Sequence, residues 1–216
     1  MKSWNEITAL LRPHQKTSVE KLLDILQSHD SAADCSDPGV GKTFTACAVA
    51  TVSQLPTLVV VPKISITSWH RAAEVFGEKF SVINYESLRT GNSPFGAWEH
   101  QEQLRKGPRL KFVCEVCQRK FDPDEDFEPC PFHARGIHCF DTKKIARRYG
   151  KFIFHPAVKF VIWDECHRCG AMKSLNAEML IACKRQKIKH LLLSATIAQS
   201  PLQMRAIGYS LDLFDL

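Results

Sequence analysis

Apolar residues recur at helical spacing in some stretches of the chain and run unbroken in others, and the two kinds of stretch alternate. Residues 3 to 29 predict two helical pieces joined at Leu11-Arg12-Pro13-His14-Gln15, the second placing Val19, Leu22, Leu23 and Leu26 on one face. A short small-residue strand, Ser31 to Asp34, leads into a glycine-bearing loop and then a charge-free apolar helix from Phe44 to Val52. Pro56 breaks that pattern, and Thr57-Leu58-Val59-Val60-Val61-Pro62 reads as a strand buried on both faces. A helix follows, with Ser65 or Ser68 as its cap, Trp69, Ala72, Ala73 and Phe76 on its apolar face and Gly77 at its end. Phe80 to Tyr85 is the next strand. After a long interruption the alternation resumes with the strand Lys159 to Asp164, a helix from about Ser174 to Gln186, the strand His190 to Ser194 and a last helix from about Pro201. Strands joined to helices by short links predict an α/β fold, a doubly wound parallel sheet with ligands at the carboxyl ends of its strands.

The interruption, residues 91 to 157, has a different character. Gly, Pro, Asn and charged residues dominate it, cysteines and histidines cluster in it, and buried-strand signals are missing until Val158. It reads as an insertion that divides the core into residues 1–90 and 158–216. With 216 residues and 44% hydrophobic content the chain can build one sizeable core and a small appendage. No apolar run is long enough to span a bilayer and the first residues lack a secretion-signal layout, so a cytoplasmic protein with no membrane partner is expected. The net charge of +6 tolerates a polyanionic partner without requiring one.

Cys35-Ser36-Asp37-Pro38-Gly39-Val40-Gly41-Lys42-Thr43 lies between the first strand and its helix. Gly39 and Gly41 can adopt backbone angles closed to other residues, so successive N–H groups turn inward around phosphate oxygens. The helix from Lys42 adds its positive end. Lys42 supplies a mobile charge for the β and γ phosphates, and the Thr43 hydroxyl suits Mg²⁺. The strict phosphate-loop pattern wants Gly at position 36, where this chain has Ser. Asp164-Glu165-Cys166-His167 directly follows an apolar strand, which puts two carboxylates at the same sheet edge. There Asp164 can hold Mg²⁺ through its water shell, and Glu165 can polarise the water that attacks the γ phosphate.

In that order the motifs resemble the superfamily 2 helicases and translocases. Asp164 to His167 looks like their DExH box, Asp37 to Thr43 like motif I, and Ser194-Ala195-Thr196 like motif III. Leu11 to Gln15 is similar to the adenine-reading segment, Val59 to Lys63 through Trp69 to motif Ia, and Asn84-Tyr85-Glu86-Ser87-Leu88 to the segment near motif Ib. The resemblance covers the chain outside the insertion and implies a RecA-like motor domain that hydrolyses ATP with Mg²⁺. It implies nucleotide contacts from Arg12, Gln15, Gly39, Val40, Gly41, Lys42, Thr43, Phe44 and Asp164, with Gln15 reading the base. Lys63, Ser65, Tyr85 and Ser87 would touch the backbone of DNA, or of RNA. Ser194 and Thr196 would couple the nucleotide to that track. Relatives carry a second RecA-like domain whose arginines complete the ATP site. This chain stops at Leu216, so unwinding is expected to need such a domain in the same or another chain. A module that keeps nucleotide and nucleic-acid binding without turnover is the rival reading. The compact motifs suit a phage or bacterial source.

The nine cysteines are an odd number, and several stand beside histidines or in C-x-x-C spacing, which in a reducing compartment favours metal or burial over disulfides. Cys114-x-x-Cys117 and Cys130-x-x-His133 form two knuckles whose thiolates and imidazole can converge on Zn²⁺, with Phe121 and Phe127 packed around the metal. His138 and Cys139 are rival fourth ligands. A segment this poor in core residues needs such a staple to fold. Cys166 and Cys169 read as structural, and Cys35, Cys47 and Cys183 as small buried hydrophobes. The basic run Lys143-Lys144-Ile145-Ala146-Arg147-Arg148-Tyr149-Gly150-Lys151 fits either a grip on a nucleic-acid backbone or a solvated helix face.

Overall fold

The computed structural model describes residues 2–99, 110–114, 120–121, 137–141, 150–172, 174–198 and 200–215, with the strands between 110 and 141 described by their backbone. The chain divides into two units, residues 1–99 with 149–216, and residues 100–148.

The first unit opens with Trp4–Ala9 (α1), held by a capping box in which Ser3 and Glu6 satisfy each other's backbone N–H. Pro13–Ser28 (α2) places its proline in the first turn, where the missing N–H leaves no bond unmade. Ser31–Asp34 (β1), Lys42–Ser53 (α3), Thr57–Val61 (β2), Ile66–Phe76 (α4), Ser81–Asn84 (β3) and Tyr85–Arg89 (α5) follow. After the short strand Gly96–Trp98 (β4) the chain enters the second unit. It returns through Phe152–Phe154 (β8), Phe160–Asp164 (β9), Leu175–Arg185 (α6), Lys189–Leu193 (β10) and Met204–Ser210 (α7). Leu110–Cys114 (β5), Lys120–Phe121 (β6) and Ile137–Asp141 (β7) lie in the second unit.

Five strands form one parallel sheet in the order β1-β10-β9-β2-β3. β2 is buried along its whole length and β9 and β10 over most of theirs, which is why their sequences run apolar without alternation. On one face Val59, Val61, Phe160, Ile162, Leu191 and Leu193 pack with α1, α2, α3 and α4. On the other, Leu58, Val60, Val161, Trp163 and Leu192 pack with α5, α6 and α7. This is the doubly wound α/β sheet expected from the alternation.

Three details differ from the periodicity. Neither Ser65 nor Ser68 caps α4 with its side chain, because a 3₁₀ turn, Lys63–Ser65, runs straight into the helix and the Ser68 hydroxyl donates to Ser65 O. Tyr85 opens a helix instead of ending a strand, because the Asn84 carboxamide oxygen accepts the Ser87 N–H and caps α5. Cys47, Cys166, Cys169 and Cys183 are buried as expected, but Cys35 is exposed, since the chain leaves the sheet at Asp34.

The second unit is narrower than the 91–157 stretch. β4 and β8 pair antiparallel within the first unit, and Trp98, Phe152 and Phe154 belong to its core. The Trp98 and Phe152 rings meet edge to face at 5.0 Å. Side chains of α6 and of Gln186, which caps it, satisfy the backbone of β8: Glu178 accepts the Phe152 N–H, Gln186 accepts the Phe154 N–H, and both Arg185 and Gln186 donate to Phe152 O. In the second unit β6, β5 and β7 form an antiparallel sheet, with Cys114 opposite Ile137 and Phe112 opposite both Phe121 and Cys139. Among the described residues no helix is long and apolar enough to cross a membrane.

His190, in β10, is fully buried with Nδ1 against Ile188 O and Nε2 against Ser210 O. Burial pushes its pKa below the ordinary value, against the pull of the two carbonyls. The unfolded chain therefore binds a proton more readily. The stability His190 contributes is complete above about pH 6.5 and is lost as pH falls through the folded value. His190→Gln, neutral at every pH, is expected to lose less stability than the wild type between pH 7.5 and 5.5 in urea unfolding. Parallel losses would exclude this group.

Candidate functional site

The site lies at the carboxyl end of the parallel sheet, where β1 feeds the glycine loop and β9 feeds the acid pair, with β10 between them. Gly39 and Gly41 have φ of 80° and 89°, the left-handed region in which a side chain is strained. Gly41 has a second constraint: a Cβ there would sit 2.3 Å from Gln15 Nε2. Ser36, which replaces the customary glycine, is outside that region. Asp34 Oδ1 accepts both its N–H (3.0 Å) and its hydroxyl (2.6 Å), so the loop turns on a side-chain bond where the strict pattern has glycine.

The Lys42 ammonium folds over the loop and donates to Ser36 O (2.7 Å) and Asp37 O (2.9 Å). Thr43 follows it in the first turn of α3, half-buried. The Phe44 ring turns toward the core, in edge contact with Phe76 at 5.9 Å, so only its backbone is left for a nucleotide. Two residues of α2 hold the loop from behind. His14 Nε2 and Gln15 Nε2 each lie 3.1 Å from Val40 O, while Gln15 Oε1 accepts the Arg12 N–H at 2.9 Å. Gln15 is buried and spends its amide on the loop and on its own helix start; the Arg12 side chain is exposed.

The acid pair is built differently at each member. Asp164 is half-buried at the end of β9; Trp69 Nε1 donates to its Oδ2 at 2.9 Å, and the Tyr85 hydroxyl donates to its backbone oxygen at 2.8 Å. Burial raises its pKa, the Trp69 bond opposes this, the Glu165 charge adds to it and Lys42 counters it. Glu165 sits at φ 54°, ψ 51°, a left-handed backbone that disfavours a side-chain-bearing residue by about 1–2 kcal/mol. Its carboxylate meets His167, whose Nδ1 is 3.2 Å from Glu165 Oε2 and 3.1 Å from Ser194 Oγ. The Ser194 hydroxyl donates its one proton to Thr196 O, so it must accept from His167, which fixes the proton on Nδ1. Glu165, His167, Ser194 and Thr196 thus form one chain of contacts between the acid box and the strand end after β10.

The residues expected along a nucleic-acid strand separate. Lys63 and Ser87 are exposed and Ser65 is half-buried. Tyr85 is a correction: its side chain is buried, its ring lies against Trp163 at 5.8 Å, and its hydroxyl is spent on Asp164, so it cannot touch a strand. Trp69 is the functional neighbour that sequence reasoning left in the core. The available signal was the indole N–H, which needs a partner wherever the ring is buried. Of the metal knuckles, Cys114 ends β5, and Cys117, Cys130 and His133 lie outside the described residues, as does the basic run up to Tyr149. The rivals His138 and Cys139 stand in β7. Among the described residues no group of three or more His, Cys, Asp or Glu could hold a metal ion.

The model of the type III restriction enzyme res subunit family matches residues 8–199. A protein of Acanthamoeba polyphaga mimivirus, named as an ATP-dependent RNA helicase, is 30% identical over 213 residues, 96% of this chain and 34% of its own length. The Sulfolobus solfataricus SWI2/SNF2 ATPase core, solved in complex with double-stranded DNA, superposes with a TM-score of 0.52 at 12% identity, over 93% of this chain and 35% of that one. The chain spans about a third of the length of each, and the likeness to the second shows the RecA-like α/β fold.

Proposed function

The chain belongs to the type III restriction enzyme res subunit family, and from that premise we propose that it is the first motor domain of an ATP-dependent nucleic-acid helicase or translocase. The observation that carries the reading is the meeting, at one edge of one parallel sheet, of the Gly39 to Thr43 loop with Asp164 and Glu165. The donors fit the groups they would hold. Two left-handed glycines and an ammonium already seated over the loop suit a polyphosphate, and the Thr43 hydroxyl and Asp164 carboxylate are hard oxygen donors of the kind Mg²⁺ takes. Bound Mg²⁺ would neutralise charge on the β and γ phosphates. Lys42 moves from Ser36 O and Asp37 O to the phosphates, Glu165 accepts the proton of the attacking water, and His167 keeps the Glu165 carboxylate aimed. His167 also ties that carboxylate to Ser194, so strand-end movement and proton acceptance are mechanically linked.

Gln15 braces the loop, and its remaining carboxamide lone pair would be the group that reads the base. Lys63, Ser65 and Ser87 hold the phosphate backbone of DNA or RNA; the mimivirus relative is named for RNA and the Sulfolobus core was solved on DNA. A second RecA-like domain supplies the arginines and the closing motion that unwinding needs.

The test is ATP hydrolysis by this chain with single- and double-stranded DNA and RNA. Stimulation by one nucleic acid names the track. ATP binding without turnover under every condition would favour a binding module, or a domain that works only with its second half.

We propose that the second unit binds zinc through Cys114, Cys117, Cys130 and His133. Cys114, the one of these four among the described residues, ends β5 opposite Ile137, the first residue of β7. Three thiolates and an imidazole are a zinc donor set. About one zinc per chain is expected by elemental analysis, and Cys114→Ser should lower the content severalfold. Metal far below one per chain in the wild type would sink the assignment.

A further inference from the structure

Two segments read above as contacts for nucleic acid reach the same residue, Asp164. The first is the Lys63–Ser65 turn with α4. Four residues after Ser65, Trp69 is fully buried and aims its indole N–H at Asp164 Oδ2, 2.9 Å away. The second is α5, which exposes Ser87 and buries Tyr85, whose hydroxyl reaches Asp164 O at 2.8 Å. α5 is also fastened to the turn behind the acid pair: Arg168 lies 5.8 Å from the centre of the Tyr85 ring and 3.6 Å from the Glu86 carboxylate. One contact therefore sets the direction of the Asp164 carboxylate and the other sets the position of its backbone.

We propose that Trp69, seconded by Tyr85, is a positioning residue that aims the Asp164 carboxylate at the divalent cation and makes cation affinity responsive to nucleic acid bound at Lys63–Ser65 and Ser87. The proposal rests on the reading of Asp164 as a cation-holding acid. A carboxylate has two oxygens and several rotational states. With Oδ2 committed to an indole that is itself locked in the core, and the Glu165 backbone N–H also on the carboxylate, the rotation of the Asp164 side chain is restricted. An outer partner of this kind typically changes metal affinity by about 10- to 100-fold when removed. Since the Lys63–Ser65 turn runs directly into the helix that carries Trp69, a strand that shifts the turn shifts the donor.

Mn²⁺ binding in the presence of ADP, read by electron paramagnetic resonance, tests this without relying on turnover. Trp69→Phe keeps an aromatic ring and deletes the donor. It is expected to weaken Mn²⁺ by about tenfold, whereas Phe76→Leu, buried on the same helix away from Asp164, should leave the affinity unchanged at a comparable loss of stability. If Trp69→Phe does not fold, Tyr85→Phe carries the test in the same direction. A single-stranded oligonucleotide should raise the Mn²⁺ affinity of the wild type and do so much less in the variant. Unchanged Mn²⁺ affinity in the variant overturns the positioning role. An oligonucleotide effect that is absent from the wild type, or equal in both proteins, overturns the coupling. If the wild type binds no Mn²⁺ with ADP, the failure belongs to the ATPase reading itself.

Discussion

Glu165→Gln is expected to lower nucleic-acid-stimulated ATP turnover by about 10²- to 10⁴-fold while leaving ATP binding within a factor of about three, the range a lost general base accounts for. The size of the effect follows from what the substitution keeps. Glutamine has nearly the same shape, and its amide oxygen can still accept from the His167 Nδ1–H that now lies 3.2 Å from the carboxylate. The backbone at φ 54° is no harder for glutamine than for glutamate, and Gln54 takes the same angle elsewhere in this chain. Only the ability to accept a proton is removed. The measurements are steady-state phosphate release and equilibrium binding of a fluorescent ATP analogue. A turnover loss of tenfold or less would show that another group takes the proton, and a parallel loss of binding would mean that Glu165 serves the ground state. His167→Ala should fall between the two proteins, because it frees the carboxylate to wander without taking away its basicity.

The large features of the fold were legible because they are repetitive. Short β-branched apolar runs between turn signals read as strands covered on both faces, and the order of strands and helices leaves few ways to wind a sheet. The glycine loop and the acid pair were legible because their chemistry is local, each a few consecutive residues. What sequence did not disclose depends on partners far away in the chain. Tyr85 follows an apolar strand and sits in a segment that resembles a nucleic-acid contact. Its burial is decided by Trp163 and by the Asp164 carbonyl, both almost eighty residues later. Trp69 read as one more core residue because periodicity records which face a side chain is on and says nothing of where its N–H points. Ser36 looked like a defect in the loop until Asp34 supplied the turn that glycine usually allows. The second unit was visible as a change of composition, but its edges were not. Trp98, Phe152 and Phe154 lie among turn-forming and charged residues, yet they close the core of the first unit.

Lys42→Ala is expected to weaken ATP binding by about 10²-fold and to abolish measurable turnover. Each hydrogen bond between an ammonium and a charged acceptor is worth about 1.5–3 kcal/mol, and a lysine reaching the β and γ phosphates makes about two. Part of that gain is offset, because in this structure the ammonium already donates to Ser36 O and Asp37 O and must give up both. The offset sets the expected value near the lower end of the sum, about 3 kcal/mol, or roughly 10²-fold. Turnover suffers more than binding, since charge on the transferred phosphoryl oxygens has to be met where it develops. Lys42→Arg separates charge from shape: it keeps the cation but brings a planar fork into a loop mouth fitted to a single nitrogen. It should therefore recover part of the affinity and little of the rate. Calorimetric titration with ATP, set beside phosphate release, checks all three proteins. If alanine binds ATP as tightly as lysine does, the loop is not a phosphate site, and the whole reading of this sheet edge falls with it.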